Sequence, residues 1–113
     1  MSPITTHVLD TTRGRPAQGV PIRLERRDDG GAYATVGAGQ TDADGRLRTL
    51  MAAGSLTVGV YRITFDTGAY FAALGTASFY PEVSIVFTIR SAGEHYHVPL
   101  LLNPFGYSTY RGS

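Results

Sequence analysis

Three histidines, one turn arginine and the last four residues are the parts of this chain that can do chemistry. His95 and His97 stand two apart in a run where Tyr96, Val98, Leu100 and Leu102 form the alternate row. Residues two apart on a strand project from one face, so both imidazoles leave the same side. If Tyr96 and Val98 point into a core, the histidines point outward. An outward face that also carries Pro99 and Leu101 suits a subunit contact as well as solvent. Imidazole titrates near neutral pH, so it can take a proton from water and return it to a leaving group. On residues alone three readings stay open. The pair can be plain surface histidines. With His7 it can form a three-histidine zinc set with an open position. Or it can do acid–base chemistry without metal.

Arg46 follows the turn Asp42-Ala43-Asp44-Gly45. It reads either as a solvated turn arginine or as a guanidinium fork for an anionic or carbonyl-rich ligand. The ending Tyr110-Arg111-Gly112-Ser113 has the same double reading. Chain ends usually fray. This one is short and partly aromatic, and it continues an extended segment. Tyr110, Arg111 and the Ser113 hydroxyl offer donors in a compact set, with a terminal carboxylate after them.

Strands must position these groups. Val20, Ile22 and Leu24 alternate with Pro21, Arg23 and Glu25. Tyr61, Ile63 and Phe65 alternate with Arg62, Thr64 and Asp66, and the row Val83, Ile85, Phe87, Ile89 repeats the pattern. Such period-two runs predict half-buried strands. Ile4 to Leu9 and Tyr107 to Arg111 also read as extended, and Tyr33 to Gln40 reads as a strand diluted by glycine. Turns are expected at Asp28 to Gly31, Asp42 to Gly45 and Asn103 to Gly106. A single helix is predicted, capped by Asp66 or Thr67, running from Gly68 to Leu74 and stopped by Gly75. Seven or eight short strands and one short helix predict an all-β sandwich, with residues 1–113 as one domain.

Composition sets the bounds. The chain has 113 residues, 42% of them hydrophobic, which is enough for a small core. Ten basic and nine acidic residues leave a net charge of +1, which gives no field for gathering nucleic acid. There is no Cys, so disulfides, thiolate nucleophiles and thiolate zinc sites are excluded. No apolar run approaches a membrane span, and the opening residues do not read as a signal peptide, so a cytoplasmic protein is expected. The chain carries no G-x-S-x-G elbow, phosphate-binding glycine loop or dinucleotide fingerprint.

Several motifs together resemble the 5-hydroxyisourate hydrolases of the transthyretin-like family. They are Thr6-His7-Val8-Leu9-Asp10-Thr11, Gly14-Arg15-Pro16-Ala17 with Gly19-Val20-Pro21, the turn Thr41 to Arg46, Tyr80-Pro81-Glu82-Val83, Glu94 to Leu101, and the Tyr110 to Ser113 ending. They span the chain in the family's order. The resemblance implies a transthyretin-like eight-stranded β-sandwich with one short helix. It implies a homotetramer, a dimer of dimers around a channel with active sites at its mouths. It selects His7, Arg46, His97 and Ser113 for catalysis, with His7, Arg46, Tyr110, Arg111 and Gly112 binding substrate, and it leaves His95 out. The implied activity is hydrolysis of 5-hydroxyisourate in urate degradation, with no metal and no organic cofactor. A hormone carrier of the same fold and a zinc hydrolase built on the three histidines are the alternatives.

Overall fold

Two four-stranded sheets face each other, and the apolar rows predicted from the alternation fill the space between them. The structure is a computed structural model that describes residues 2–113; Met1, the first residue of the expected domain, lies outside the described residues. The elements are β1 (Ile4–Asp10), β2 (Arg15–Pro16), β3 (Pro21–Arg27), β4 (Tyr33–Gln40), β5 (Gly59–Phe65), α1 (Thr67–Ala73), β6 (Val83–Ile89), β7 (Tyr96–Asn103) and β8 (Gly106–Thr109). One sheet has the order β2-β1-β7-β8 and the other β4-β3-β5-β6. All pairings are antiparallel except β1 with β7, which is parallel and sets Thr5 beside His97 and His7 beside Pro99.

The alternation in β1 is strict. Ile4, Thr6, Val8 and Asp10 are buried, while Thr5, His7 and Leu9 are half-buried on the other face. Tyr96, Val98, Leu100 and Leu102 of β7 point into the core with Ile22, Leu24, Tyr61, Ile63 and Phe65 of the opposite sheet. Each such side chain contributes roughly 1.5–3 kcal/mol when fully removed from water. The two buried polar groups of β1 are satisfied. Thr6 Oγ1 donates to Val98 O at 2.6 Å. Asp10 accepts the Tyr70 hydroxyl at 2.7 Å and the backbone N–H groups of Thr12 and Arg13 at 3.1 Å.

That Tyr70 bond ties α1 to β1. The helix begins where expected, with the Asp66 carboxylate accepting from Ala69 N at 3.1 Å, and Gly75 ends it at φ +69°. The glycines of β4 serve close approach. A Cβ at Gly37 would strike the Leu50 carbonyl oxygen, and one at Gly39 would come within 2.9 Å of Leu47 Cδ1. The segment after β4 can therefore lie against that strand and bury Leu47, Leu50, Met51 and Leu56.

Three expectations shift. β2 is a two-residue strand that no periodicity announces. β8 ends at Thr109 instead of running on to Arg111. Pro99, expected on the wet face of β7, is buried. Among the described residues, no helix is long and apolar enough to cross a membrane.

Candidate active site

His97 is held on three sides, and the hold begins with Pro99. In β7 and β8, Leu100 pairs with Thr109. The same register places Pro99 opposite Tyr110 and His97 opposite Gly112. Proline has no N–H to give, so the ladder cannot close at Pro99. The Thr109 hydroxyl takes the Pro99 carbonyl instead, at 2.7 Å. The ladder resumes two residues on, where Gly112 N donates to His97 O at 2.9 Å. The break ends β8, and the resumed rung brings the tail back to His97.

Gly112 also meets the ring. A Cβ there would lie 2.5 Å from His97 Cδ2 and 3.2 Å from Cγ, so only glycine lets the tail pass. On the other side, His97 Nδ1 lies 2.8 Å from Thr5 Oγ1, the residue it faces across the parallel pairing. His95 Nε2 reaches the same Thr5 oxygen at 3.1 Å. Burial, with help from the positive charge of Arg46 and from His7 and His95, holds the His97 imidazole below its ordinary pKa. A neutral ring is thereby favoured near neutral pH.

Arg46 arrives by a separate route. The Asp42 carboxylate accepts from Asp44 N at 2.9 Å and Arg46 N at 3.0 Å, which folds the turn on itself. Those bonds, the one to Arg46 first, keep Asp42 below the usual carboxylate range. Gly45 has φ +75°, and a Cβ there would collide with the Val8 carbonyl, so the turn can press against β1. Val8 N donates to Gly45 O at 2.8 Å, and His7 bridges to Arg46 on the edge of β1 away from β7.

A cavity of about 460 Å³ lies over this face, lined by Thr5, Thr6, Arg46, Leu47, Arg48, His95, His97 and Ser113. Its two arginines differ. Arg48 pairs with Asp42 at 2.6 Å and Asp44 at 3.5 Å. Arg46 makes no ion pair among the described residues, so its guanidinium is the one available to an incoming oxygen anion. The cavity thus joins an imidazole kept neutral, an uncommitted cation and a hydroxyl. Such a set can take a proton from water and hold a developing oxyanion.

The structure brings Arg46, His97 and Ser113 together. His7 lies on the same face of β1 but outside the cavity lining. Tyr110 and Arg111 line a smaller, about 240 Å³ cavity with Ile85, Phe87 and Tyr96, which shares only His97 with the larger one. Arg111 stacks 4.6 Å over the Tyr96 ring and lies 3.6 Å from Glu94. Among the described residues, no three histidine, aspartate or glutamate side chains converge as a metal-holding group. Thr5 and Asp42 are the participants that sequence reasoning missed. The Asp42 turn was visible, but the Thr5 contact depends on the β1–β7 register.

Two four-stranded sheets and one short helix make a transthyretin-like sandwich, with an imidazole–guanidinium cavity on one outer face. The chain belongs to the HIUase/Transthyretin family, whose sequence profile matches residues 4–112. It is 47% identical to a 5-hydroxyisourate hydrolase of Caulobacter vibrioides over 117 residues, covering all of both chains. It is 45% identical to the mouse 5-hydroxyisourate hydrolase, covering 99% of this chain and 96% of the relative. Among solved structures, Klebsiella pneumoniae 5-hydroxyisourate hydrolase superposes with a TM-score of 0.84 at 40% identity, over 97% of this chain and 98% of that one. Sea bream transthyretin in complex with thyroxine gives 0.93 at 33% identity, over 98% and 95%. Backbone likeness is thus higher to this transthyretin and sequence likeness higher to the hydrolases, and a fold shared by both leaves function to the side chains of the site.

Proposed function

We propose that this protein hydrolyses 5-hydroxyisourate to 2-oxo-4-hydroxy-4-carboxy-5-ureidoimidazoline, a step of urate degradation. The observation that carries the reading is the uncommitted Arg46 guanidinium in one cavity with the neutral-held His97 ring. Full-length identities of 45–47% to proteins named for this activity support it.

In this reading, His97 or His7 takes a proton from water as the water oxygen attacks a carbonyl carbon of the six-membered ring; His97 is the one we favour. Arg46 binds the oxygen that becomes negative in the tetrahedral intermediate. The carbon–nitrogen bond then breaks, and the imidazolium returns its proton to the leaving nitrogen. The ring is opened, the released nitrogen becomes the end of the ureido group, the new carboxylic acid loses its proton to solvent as a carboxylate, and the histidine is regenerated. His7 orients water or substrate beside this centre, and Ser113 hydrogen-bonds near the reacting carbon. Gly112 walls the His97 ring, and Tyr110 and Arg111, assigned by the family resemblance to substrate binding, line the neighbouring cavity that meets this one at His97. An activated acyl-urea needs proton transfer and positioning, which these residues supply without a metal. Turnover should survive a chelator, and a loss reversed by zinc would overturn the metal-free mechanism.

The assembly belongs to the same proposal. β6 and β8 end their sheets as unpaired edges, and Val86 and Tyr107 are exposed on them. Uncovered edges invite pairing. A homotetramer of two dimers would cover them, and light scattering should give about four chain masses. A chain without Cys needs no oxidising compartment, and we assign the activity to the cytoplasm.

The deciding experiment adds purified protein to freshly oxidised urate and follows the ultraviolet absorbance of the intermediate. Accelerated decay is expected. A decay no faster than the spontaneous one, together with tight thyroxine binding, would establish the carrier reading instead.

A further inference from the structure

Thr5 joins two histidines through a single oxygen. Its Oγ1 lies 2.8 Å from His97 Nδ1 and 3.1 Å from His95 Nε2. A hydroxyl carries one proton, so it can donate to only one of the rings. A neutral imidazole likewise has one N–H, and the bond made by one nitrogen decides what the other can do. The Thr5–His97 contact is built on two paired central strands of the sheet, not on a loop.

We propose that Thr5 is a positioning residue that sets the tautomer of His97. His97 Nδ1–H donates to Thr5 Oγ1, the Thr5 hydroxyl donates to His95 Nε2, and His97 Nε2 is left as a bare acceptor toward the cavity. The proposal rests on the reading of His97 as the base, because only an unprotonated Nε2 can take a proton from water there.

Three features favour this order over its reverse. With Nδ1 turned to Thr5 and Cδ2 against Gly112, the tip of the ring is the part left for the cavity. Nε2 makes no hydrogen bond to the described residues, so Thr5 is the protein partner that can select the tautomer. And the cavity wall carries the Arg46 guanidinium, which has no carboxylate partner among the described residues, whereas Arg48 is paired with Asp42 and Asp44. The field of the Arg46 charge favours a lone pair facing it over an N–H. In the reverse order, Thr5 donates to Nδ1 and a proton on Nε2 points into that field. Acceptance by Thr5 from both rings would leave His97 in the proposed tautomer. His95 is exposed, so it serves only as the outer acceptor, and water can stand in for it.

The test is nitrogen NMR of protein labelled with 15N-histidine, at about pH 8, where imidazoles are mostly neutral. Variants His7→Gln and His95→Gln assign the ring signals. In the parent, His97 should show a protonated Nδ1 and an unprotonated Nε2. Thr5→Val should shift the ring toward the Nε2–H tautomer, and Thr5→Ser should keep the parent pattern. With 5-hydroxyisourate, Thr5→Val should lower kcat roughly tenfold or more with KM little changed, and Thr5→Ser should restore it. Thr5→Ala supplies a second hydroxyl deletion if the valine variant does not fold. A parent His97 in the Nε2–H form, or a Thr5→Val variant with the parent tautomer, would overturn the proposal. So would a tautomer change that leaves kcat intact. The spectra need no substrate, so a correct tautomer in a protein that ignores 5-hydroxyisourate would sink the hydrolase reading alone.

Discussion

The Cα of Gly112 packs against the edge of the His97 ring, while its N–H donates to the His97 carbonyl at 2.9 Å. One residue of the tail therefore fixes both the backbone and the side chain of the histidine. The contact leaves no room for a methyl group, since a Cβ would sit 2.5 Å from Cδ2.

Replacing Gly112 by Ala should push the ring or the tail aside. A misplacement of about 1 Å at a reacting group can cost on the order of a hundredfold in rate. The hydrolysis rate should fall by that order while the melting temperature moves little, because only one tail hydrogen bond is at risk. Full activity in Gly112→Ala would show that the ring position does not matter.

His97→Ala should cost far more than His95→Ala. A general base contributes on the order of 10² to 10⁴ in rate. An outer hydrogen-bond acceptor that water can replace contributes a few-fold at most. Steady-state assays on both variants, with circular dichroism to confirm folding, make the comparison. Equal losses would mean that the wrong histidine has been chosen.

Deleting Tyr110 to Ser113 should abolish turnover and leave the sandwich folded. β8 ends at Thr109 and keeps its pairing with β7. The lost Gly112–His97 bond is worth roughly 0.5–1.5 kcal/mol. The cavity loses Ser113, and His97 loses one of its walls. A truncated protein of normal size and normal kinetics would remove the tail from the mechanism.

The acid limb of kcat/KM should have its midpoint below 6.5, the ordinary histidine value. Burial first, and then the charge of Arg46, disfavours the imidazolium, so the ring stays a usable base as pH falls. Arg46→Gln should move the surviving activity's limb toward higher pH. The sign for stability follows from the same shift. Between the folded value and 6.5 the unfolded chain holds more protons on this residue, so its contribution to stability falls as pH drops through that window. A limb above 6.5 in the parent protein would contradict the placement of His97 beside Arg46.

Much of the fold was legible in local pattern. Alternation marked β3, β5, β6 and β7, because one face of each strand is buried and a period of two cannot hide that, and β1 read as extended. Asp66 and Gly75 bracketed the helix through their own capping chemistry. Two-residue β2 carried no period to detect, and the burial of Pro99 could not be read from a strand pattern that assigned it to the wet face.

The site divides along the same line. Residue types and spacing alone established that His95 and His97 share a face, that Arg46 follows a tight acidic turn, and that Tyr110 to Ser113 is unlike an ordinary tail. Local sequence treats the two histidines as equals. Tertiary structure separates them, because the parallel pairing of β1 with β7 puts Thr5 against Nδ1 of His97, and the gap in the ladder at Pro99 returns Gly112 to the same ring. It also tells the two cavity arginines apart, since Arg48 folds back onto Asp42 and Asp44 while Arg46 is held out by its backbone alone. Strand register is a long-range property, set by which segments pack together, and neighbouring residues in the chain do not encode it, whereas the Arg48 pairs are local and follow from the folded shape of the Asp42 turn.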